Sequence, residues 1–440
     1  MKIVQLVPGS GGSFYCENCL RDAALVRALR QAGHEILMVP MYLPLAAGQG
    51  RELANAPVFF GGINVYLQQR LRLFRRTPRW LDRLFDSPRL LRWAAARAGA
   101  TDAAELGETT LSMLRGERGR QVKELDKLIG YLSDSGSPDV LCLSNALLLG
   151  LARRIKAELD VPVVCMLQDE DIFLDALPDS HRGPAWRAVA EGARDADLFV
   201  AVSRYYSGAM IDRLGLPADR VVVVYTGVDA EGRAPADQPP GQRTIGFLDR
   251  MCRDKGLDVL IEAFLMLKSK RAFGDVRLRV AGGKLPVDEP FLARCRKRIA
   301  AAGQTRCVEF LGSFEAASRL AFLRSLSVLA APSRHKEAFG LCVLESLAEG
   351  VPVVLPPEGA FPELIEATGG GVLCQRNDAA SLAAGIEQLL TDRDVARRLG
   401  RRGRQAVLEK FTVRRMAGEF VQACQRACGN YRAGDAPPQD

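Results

Sequence analysis

APSRHKEAFGLCVLESLAEGVPVVLPPEGAFPELIEAT, residues 331–368, holds in one stretch the pattern that repeats along the chain. An apolar run, LSVLAAPS at 326–333, ends on Pro332 and Ser333. A polar loop reaches Glu337, Ala338-Phe339-Gly340 leads into a helical segment stopped by Gly350, and VPVVLP at 351–356 resumes as an apolar strand. Short apolar strands joined by helices are the pattern of a parallel sheet covered on both faces. Working outward, TIGFL at 244–248, RLRVAGG at 277–283 and CVEFLG at 307–312 complete one such set in the second half. The first half repeats it with IVQLV at 3–7, a helix over about 18–32, EILMVP at 35–40, DVLCLS at 139–144, VPVVCML at 161–167 and DLFVAVS at 197–203. The expectation is an α/β protein of two doubly wound parallel-sheet domains facing across a cleft, with ligands beyond the carboxyl ends of the strands.

Composition agrees with two domains. A chain of 440 residues, 48% apolar and 25% charged, is too long for one ordinary core. GRAPADQPPGQ at 232–242 is dense in Pro and Gly and reads as the linker, between a first domain at 1–231 and a second at 243–412. The net charge of +8 favours anionic partners such as phosphorylated small molecules or acidic lipid headgroups and does not single out nucleic acid. MKIVQLVPGSGG runs from a strand straight into a Gly-rich loop, unlike a secretory leader, and no apolar stretch is long enough for a bilayer span. A cytoplasmic location is expected. The eleven cysteines are scattered through core-like segments, which suits a reducing compartment. Cys16 and Cys19 have the spacing of a redox dithiol or half a zinc site, or simply pack, and Cys424 and Cys428 share one face of a terminal helix.

One segment breaks the alternation. Within 70–97 lie nine arginines against Asp82 and Asp86, with Trp80, Trp93, Phe74 and Phe85 interleaved at helical spacings. It reads as a basic helical insertion at about 68–98 that either lies on an anionic membrane surface or packs its aromatic face on the first domain.

The chemistry concentrates in 331–368. A helix N-terminus beginning near Gly340 offers free backbone amides and the positive end of a dipole, and Gly340 permits close approach of a ligand. Glu337 precedes that helix and Glu345 lies more than a turn inside it, so the two carboxylates reach hydroxyls at two distances from one phosphate. Taken alone, they are a capping-region glutamate and an exposed helical one. In the setting EAFGLCVLESLAEGVPVV they resemble the donor-binding motif of the family 4 retaining glycosyltransferases, whose fold is GT-B, two Rossmann-like domains. The resemblance implies that Glu337 contacts donor sugar hydroxyls, that Glu345 holds the ribose, and that the backbone at Ala338, Phe339, Gly340 and Leu341 meets the sugar and phosphates.

Three further matches carry the resemblance over nearly the whole chain. IGFLDRMCRDKGLDVLIEAF at 245–264 places Arg250 and Lys255 where family members clamp the diphosphate, with Asp249 where Gly is usual. Fixed cations at that point stabilise the charge that grows on the leaving group. PGSGGSFYCENCLRDAALVRALRQAGHEILMV resembles the family's amino-terminal loop, helix and strand, with Gly11 and Gly12 turned to the donor phosphates and His34 structural. VVVVYTGVD at 221–229 has Thr226 where Asn is usual. A departure lies in VPVVCMLQDEDIFLD, where Gln168 and Asp169 replace a frequent His followed by Gly or Asp, and Gln168 has no base to offer. The run Asp169, Glu170, Asp171 and Asp175 reads as an acceptor-binding rim or as a solvated loop with a helix cap.

Together these imply a retaining transferase moving a sugar from a nucleotide-diphosphate donor to a glycan, lipid-linked or small-molecule acceptor. Glu337, Arg250 and Lys255 would be its catalytic set and Gln168 and Asp169 its acceptor side. No obligatory metal or cofactor is expected. A helix over 413–430 would cross back to the first domain, and 431–440 would be a disordered tail. The rival is a catalytically lapsed nucleotide- or sugar-binding protein, suggested by Gln168, Asp249 and Thr226; an epimerase or phosphorylase lacks a recognisable motif. If the basic segment is a membrane surface, replacing Arg72, Arg75, Arg76 and Arg79 by Glu abolishes sedimentation with anionic liposomes, and unchanged partitioning refutes it.

Overall fold

The computed structural model describes residues 1–8, 15–41, 59, 103–229, 241–312 and 316–434. The basic segment at 68–98, most of the linker, and Gly11 and Gly12 lie outside them.

The first sheet contains β1 (Lys2–Val7), β2 (Glu35–Pro40), β3 (Val140–Leu143), β4 (Val163–Leu167), β5 (Leu198–Ala201) and β6 (Val221–Val223), in the order β2-β1-β3-β4-β5-β6. Every pairing is parallel, with Ile3 opposite both Ile36 and Val140 and Val164 opposite Leu198. The second contains β7 (Thr244–Leu248), β8 (Arg277–Ala281), β9 (Val308–Phe310), β10 (Val328–Ala330), β11 (Val353–Leu355) and β12 (Gly371–Leu373), in the order β12-β11-β10-β7-β8-β9 and again all parallel. Strands β3, β4, β5 and β7 are buried along their whole length, and the first three accordingly read as unbroken apolar runs rather than as alternation. Both are doubly wound sheets, as the hydrophobic pattern indicated, though most strands are shorter than the apolar runs that announced them. The weakly patterned β12 was not anticipated.

Several boundaries differ from expectation. The chain forms two compact units; the described residues 225–229 group with the second sheet rather than the first, and so do residues 15–24, which include the start of the first helix (Glu17–Gln31). Hydrogen bonds hold them there: the Tyr15 amide donates to the Gly282 carbonyl at 2.6 Å, and the Leu341 amide donates to Glu17 at 3.0 Å. At the other end the terminal helix runs Val413–Gly434, so residues 431–434 are helical and not part of a disordered tail. Tyr431 donates its hydroxyl to Asp160 at 2.7 Å and lies 5.0 Å beneath Lys156, contacts that tie the last turn to the first unit. Residues from Ala417 onward belong to that unit, with Phe420, Cys424 and Ala427 fully buried.

The core of the second unit gathers Phe247 and Val280 from the strands with Leu260 and Phe264 from the helix Leu257–Lys268. Phe264 is wholly buried, so Phe264→Ala is expected to cost about 3–5 kcal/mol of unfolding free energy, read as a lower urea midpoint.

Candidate functional site

In the second sheet the chain winds outward through β8 and β9 and then returns to place β10 beside β7. The carboxyl ends of these two neighbours therefore mark the reversal point at which open parallel sheets take ligands. A pocket opens there, lined by Leu248, Asp249, Ala330, Ser333 and Glu337 among others.

Lys255 reaches it because the turn after β7 is drawn against the exit of β10. Gly256 closes that turn at φ 73°, and a Cβ on it would meet the Pro332 carbonyl oxygen at 1.9 Å. The Lys255 ammonium then donates to both carboxylate oxygens of Glu337, at 2.8 and 2.9 Å, and lies 3.1 Å from Asp249 Oδ2. Glu337 also accepts from the Ser333 hydroxyl and is buried. Arg250 is engaged elsewhere: its guanidinium donates twice to Asp288, each time at 2.8 Å. Of the expected cation pair, the structure brings Lys255 to Glu337 and holds Arg250 against an acid that the sequence reading did not single out.

The helix Leu341–Ala348 is preceded by Gly340 at φ 115°, where a Cβ would lie only 2.8 Å from a Phe361 ring carbon. Its first amides are occupied. Leu341 donates to Glu17 Oε2 at 3.0 Å and Cys342 to Glu17 Oε1 at 3.1 Å, so one carboxylate takes both. Ala338 and Phe339 are buried just upstream, the Phe339 ring 6.2 Å from Tyr225 and 6.4 Å from Phe411. Glu345, read as an exposed helical residue in the absence of the motif, is buried, accepting from the Tyr15 hydroxyl at 2.8 Å and from Arg319 Nε at 3.0 Å.

Two carboxylates thus meet one ammonium, and Glu17 lies near enough to feel all three charges. Burial pushes Glu17 up to about 7; Asp249 and Glu337 push the same way, against Lys255 and the Leu341 amide. Burial also raises Asp249 to about 6, with Lys255 opposing and Glu337 adding. Among the described residues, Glu17, Asp249 and Cys342 are the trio with metal-ligating atoms within 4.8 Å of one another. The Lys255 ammonium beside Asp249 already supplies positive charge there. The Cys16 and Cys19 sulfurs lie 2.7 Å apart, and all eleven cysteines are free thiols.

In the first sheet, the ends of β3 and β4 are joined by a buried acid. Glu170 accepts from the Ala146 amide, the Gln168 amide and the Tyr206 hydroxyl, each at 2.8 Å. It is only 1% exposed, which rules out both sequence readings of that residue, acceptor rim and solvated loop. Gln168 is also buried, its side-chain amide donating to the Ser144 carbonyl, so that group is committed to the protein. Asp169 follows in a left-handed conformation, φ 61°, at the start of the helix Glu170–Asp175.

Glu17, Tyr15 and Asp288 escaped sequence reasoning as site residues. No local spacing links residue 17 to residue 341; the signal was its place right after the Gly-rich loop.

Residues 229–406 match the family described as Glycosyl transferases group 1, and residues 102–231 match Glycosyltransferase Family 4. A D-inositol 3-phosphate glycosyltransferase of Corynebacterium jeikeium is 28% identical over 193 residues, 44% of this chain and 44% of its own length. A glycogen synthase of Mycobacterium tuberculosis is 27% identical over 248 residues, 56% of this chain and 57% of its own. The chain spans about half the length of these curated relatives. Among solved structures, sucrose-phosphate synthase from Thermosynechococcus elongatus superposes with a TM-score of 0.72 at 17% identity, covering 98% of this chain and 100% of that one. Anabaena HepE in complex with UDP gives 0.69 at 18%, covering 97% and 100%. At such identities the likeness establishes the fold, GT-B.

Burial pushes Glu170 up to about 7 from an ordinary 4.5, more than its three hydrogen bonds pull it down. The folded state therefore keeps a proton that the unfolded chain releases, and this group's contribution to stability is full below about 4.5 and lost as pH rises through about 7. The difference in Tm between wild type and Glu170→Gln should fall across that window and be flat on either side; parallel curves would contradict the assignment.

Proposed function

Because the chain belongs to the family 4 glycosyltransferases, we propose that it transfers a sugar, with retention of configuration, from a nucleoside diphosphate held at the β7–β10 site to a glycan, lipid-linked or small-molecule acceptor. The observation that carries this reading is the meeting, at the reversal point of the second sheet, of a buried carboxylate, a lysine and two helix-terminal amides. Glu337 would orient the sugar hydroxyls and Glu345 the ribose. Lys255, with Arg250 beside the same turn, would stabilise the negative charge that develops on the leaving diphosphate. Cations fixed there act more strongly on the transition state than on the bound donor. In front-face retention the leaving phosphate takes the acceptor proton, so the buried Gln168 is no obstacle to chemistry. Gln168 would then act by shaping the acceptor loop, with Asp169 next to it on the acceptor side. Among the described residues no helix is long and apolar enough to cross a membrane. The basic stretch at 70–97 would place the enzyme peripherally on an anionic membrane surface, on the cytoplasmic side.

A second reading has its own observation. Asp249 lies 3.1 Å from Lys255, where the family usually has glycine, and competes with a diphosphate for that ammonium. This favours a protein that binds a nucleotide or sugar without turning it over.

The readings separate experimentally. Thermal shift against UDP, GDP and ADP identifies the base, since a ligand bound only by the native state raises Tm; a family neighbour holds UDP, which makes it the first to try. With that donor, Glu337→Gln and Lys255→Ala should each lower turnover by about 100-fold or more while circular dichroism stays native. Near-normal turnover in both refutes the site assignment, and tight donor binding without turnover in wild type supports the second reading.

A further inference from the structure

We propose that Glu17 guards the donor site: its carboxylate holds the amides of Leu341 and Cys342 in place of a donor phosphate, and a nucleoside diphosphate sugar binds there by displacing it. The inference rests on the donor-site reading above and adds a residue outside that motif.

The geometry is that of a bound anion. Two successive amides at the start of the helix Leu341–Ala348 each donate to a different oxygen of one carboxylate, at 3.0 and 3.1 Å. Helix N-termini receive phosphates in the same way, through free amides and the positive dipole end. Each amide has one hydrogen to give, so these two cannot serve Glu17 and a phosphate together. Glu17 is therefore a competitor built into the chain.

The surroundings make displacement necessary on electrostatic grounds as well. Glu17 faces Asp249 and Glu337, with Lys255 as the cation hydrogen-bonded between them and the Cys342 thiol and Tyr15 hydroxyl alongside. A diphosphate brought into this set would add further negative charge beside three carboxylates, one buried and two partly so. Removing Glu17 from the amides vacates two donors and takes away one like charge in a single movement. Glu17 can make that movement by rotating its own side chain, because it is the first residue of its helix and the amide of Tyr15 is separately anchored to Gly282. Were Glu17 only an anchor for residues 15–24, its loss would loosen that segment and leave phosphate affinity unchanged or weaker.

The experiment is calorimetric titration of the full-length wild type, Glu17→Ala and Glu17→Gln with UDP, GDP and ADP and with the corresponding phosphate-free nucleosides. The expected result is that the preferred diphosphate binds Glu17→Ala about fivefold tighter or more, the scale of one relieved hydrogen bond, with nucleoside affinity unchanged. Glu17→Gln, which loses the charge but keeps the side chain's shape, should gain less and guards against a misfolded alanine variant. Diphosphate binding by wild type with no gain in either variant overturns the inference and leaves the donor reading intact. An equal gain for phosphate-free nucleosides also overturns it, since the amides would not be the cause. No diphosphate binding by any of the three proteins overturns the donor reading and the inference with it.

Discussion

The Lys255 ammonium, donating at 2.8 and 2.9 Å to Glu337 and lying 3.1 Å from Asp249, is the interaction on which the second unit's site depends. Carboxylates buried in a protein interior are costly unless paired, and here one lysine serves two of them. The arrangement is possible because Gly256 lets the lysine turn pass against Pro332, bringing the exits of β7 and β10 within a side chain's reach. A residue with a Cβ at 256 would separate the ammonium from its partners. Backbone freedom at one glycine thus decides whether the charges meet.

From that meeting the other features follow. Burial raises the protonation of Glu17 and Asp249, and the neighbouring carboxylates add to it against the one opposing cation, Lys255. If the donor reading holds, Glu17 would make the site selective: weak ligands could not displace it from the Leu341 and Cys342 amides, whereas one with several phosphate oxygens could. Glu345, one turn deeper, is kept in register by Tyr15 and Arg319, so the same short segment at 15–17 bears on both ends of the motif. The first unit uses a related device for a different end. Glu170, buried and accepting three hydrogen bonds, fastens the loop after β3 to the loop after β4, and the left-handed Asp169 is held between them.

Two classes of information were legible in the sequence to different degrees. The strands could be read because a parallel strand covered on both faces is largely apolar, and β3, β4 and β5 are so throughout. Strand ends were less legible, since an apolar residue just past the last ladder bond looks the same as one within it; VPVVLP continues beyond β11 for this reason. The motif residues Glu337, Glu345, Lys255 and Arg250 and the helix start at Leu341 were legible because they lie at short, fixed offsets from a strand end or a helix start. Their partners were not. Asp288, Tyr15, Arg319 and Glu17 come from distant segments, and hydrogen-bonding residues of these types occur everywhere on a protein surface.

The sequence by itself determined the class of fold, the two parallel sheets, the resemblance to family 4 glycosyltransferases and the residues of the donor motif, because hydrophobic periodicity and short-range spacing are local properties. Only the tertiary structure decided that Arg250 is held by Asp288, that Gln168 turns inward to Ser144, that the last helix continues through residue 434, and that Glu17 takes the amides of Leu341 and Cys342. Each of these is a choice of partner among many polar groups, and such choices depend on which segments folding brings together and on which charges it removes from water.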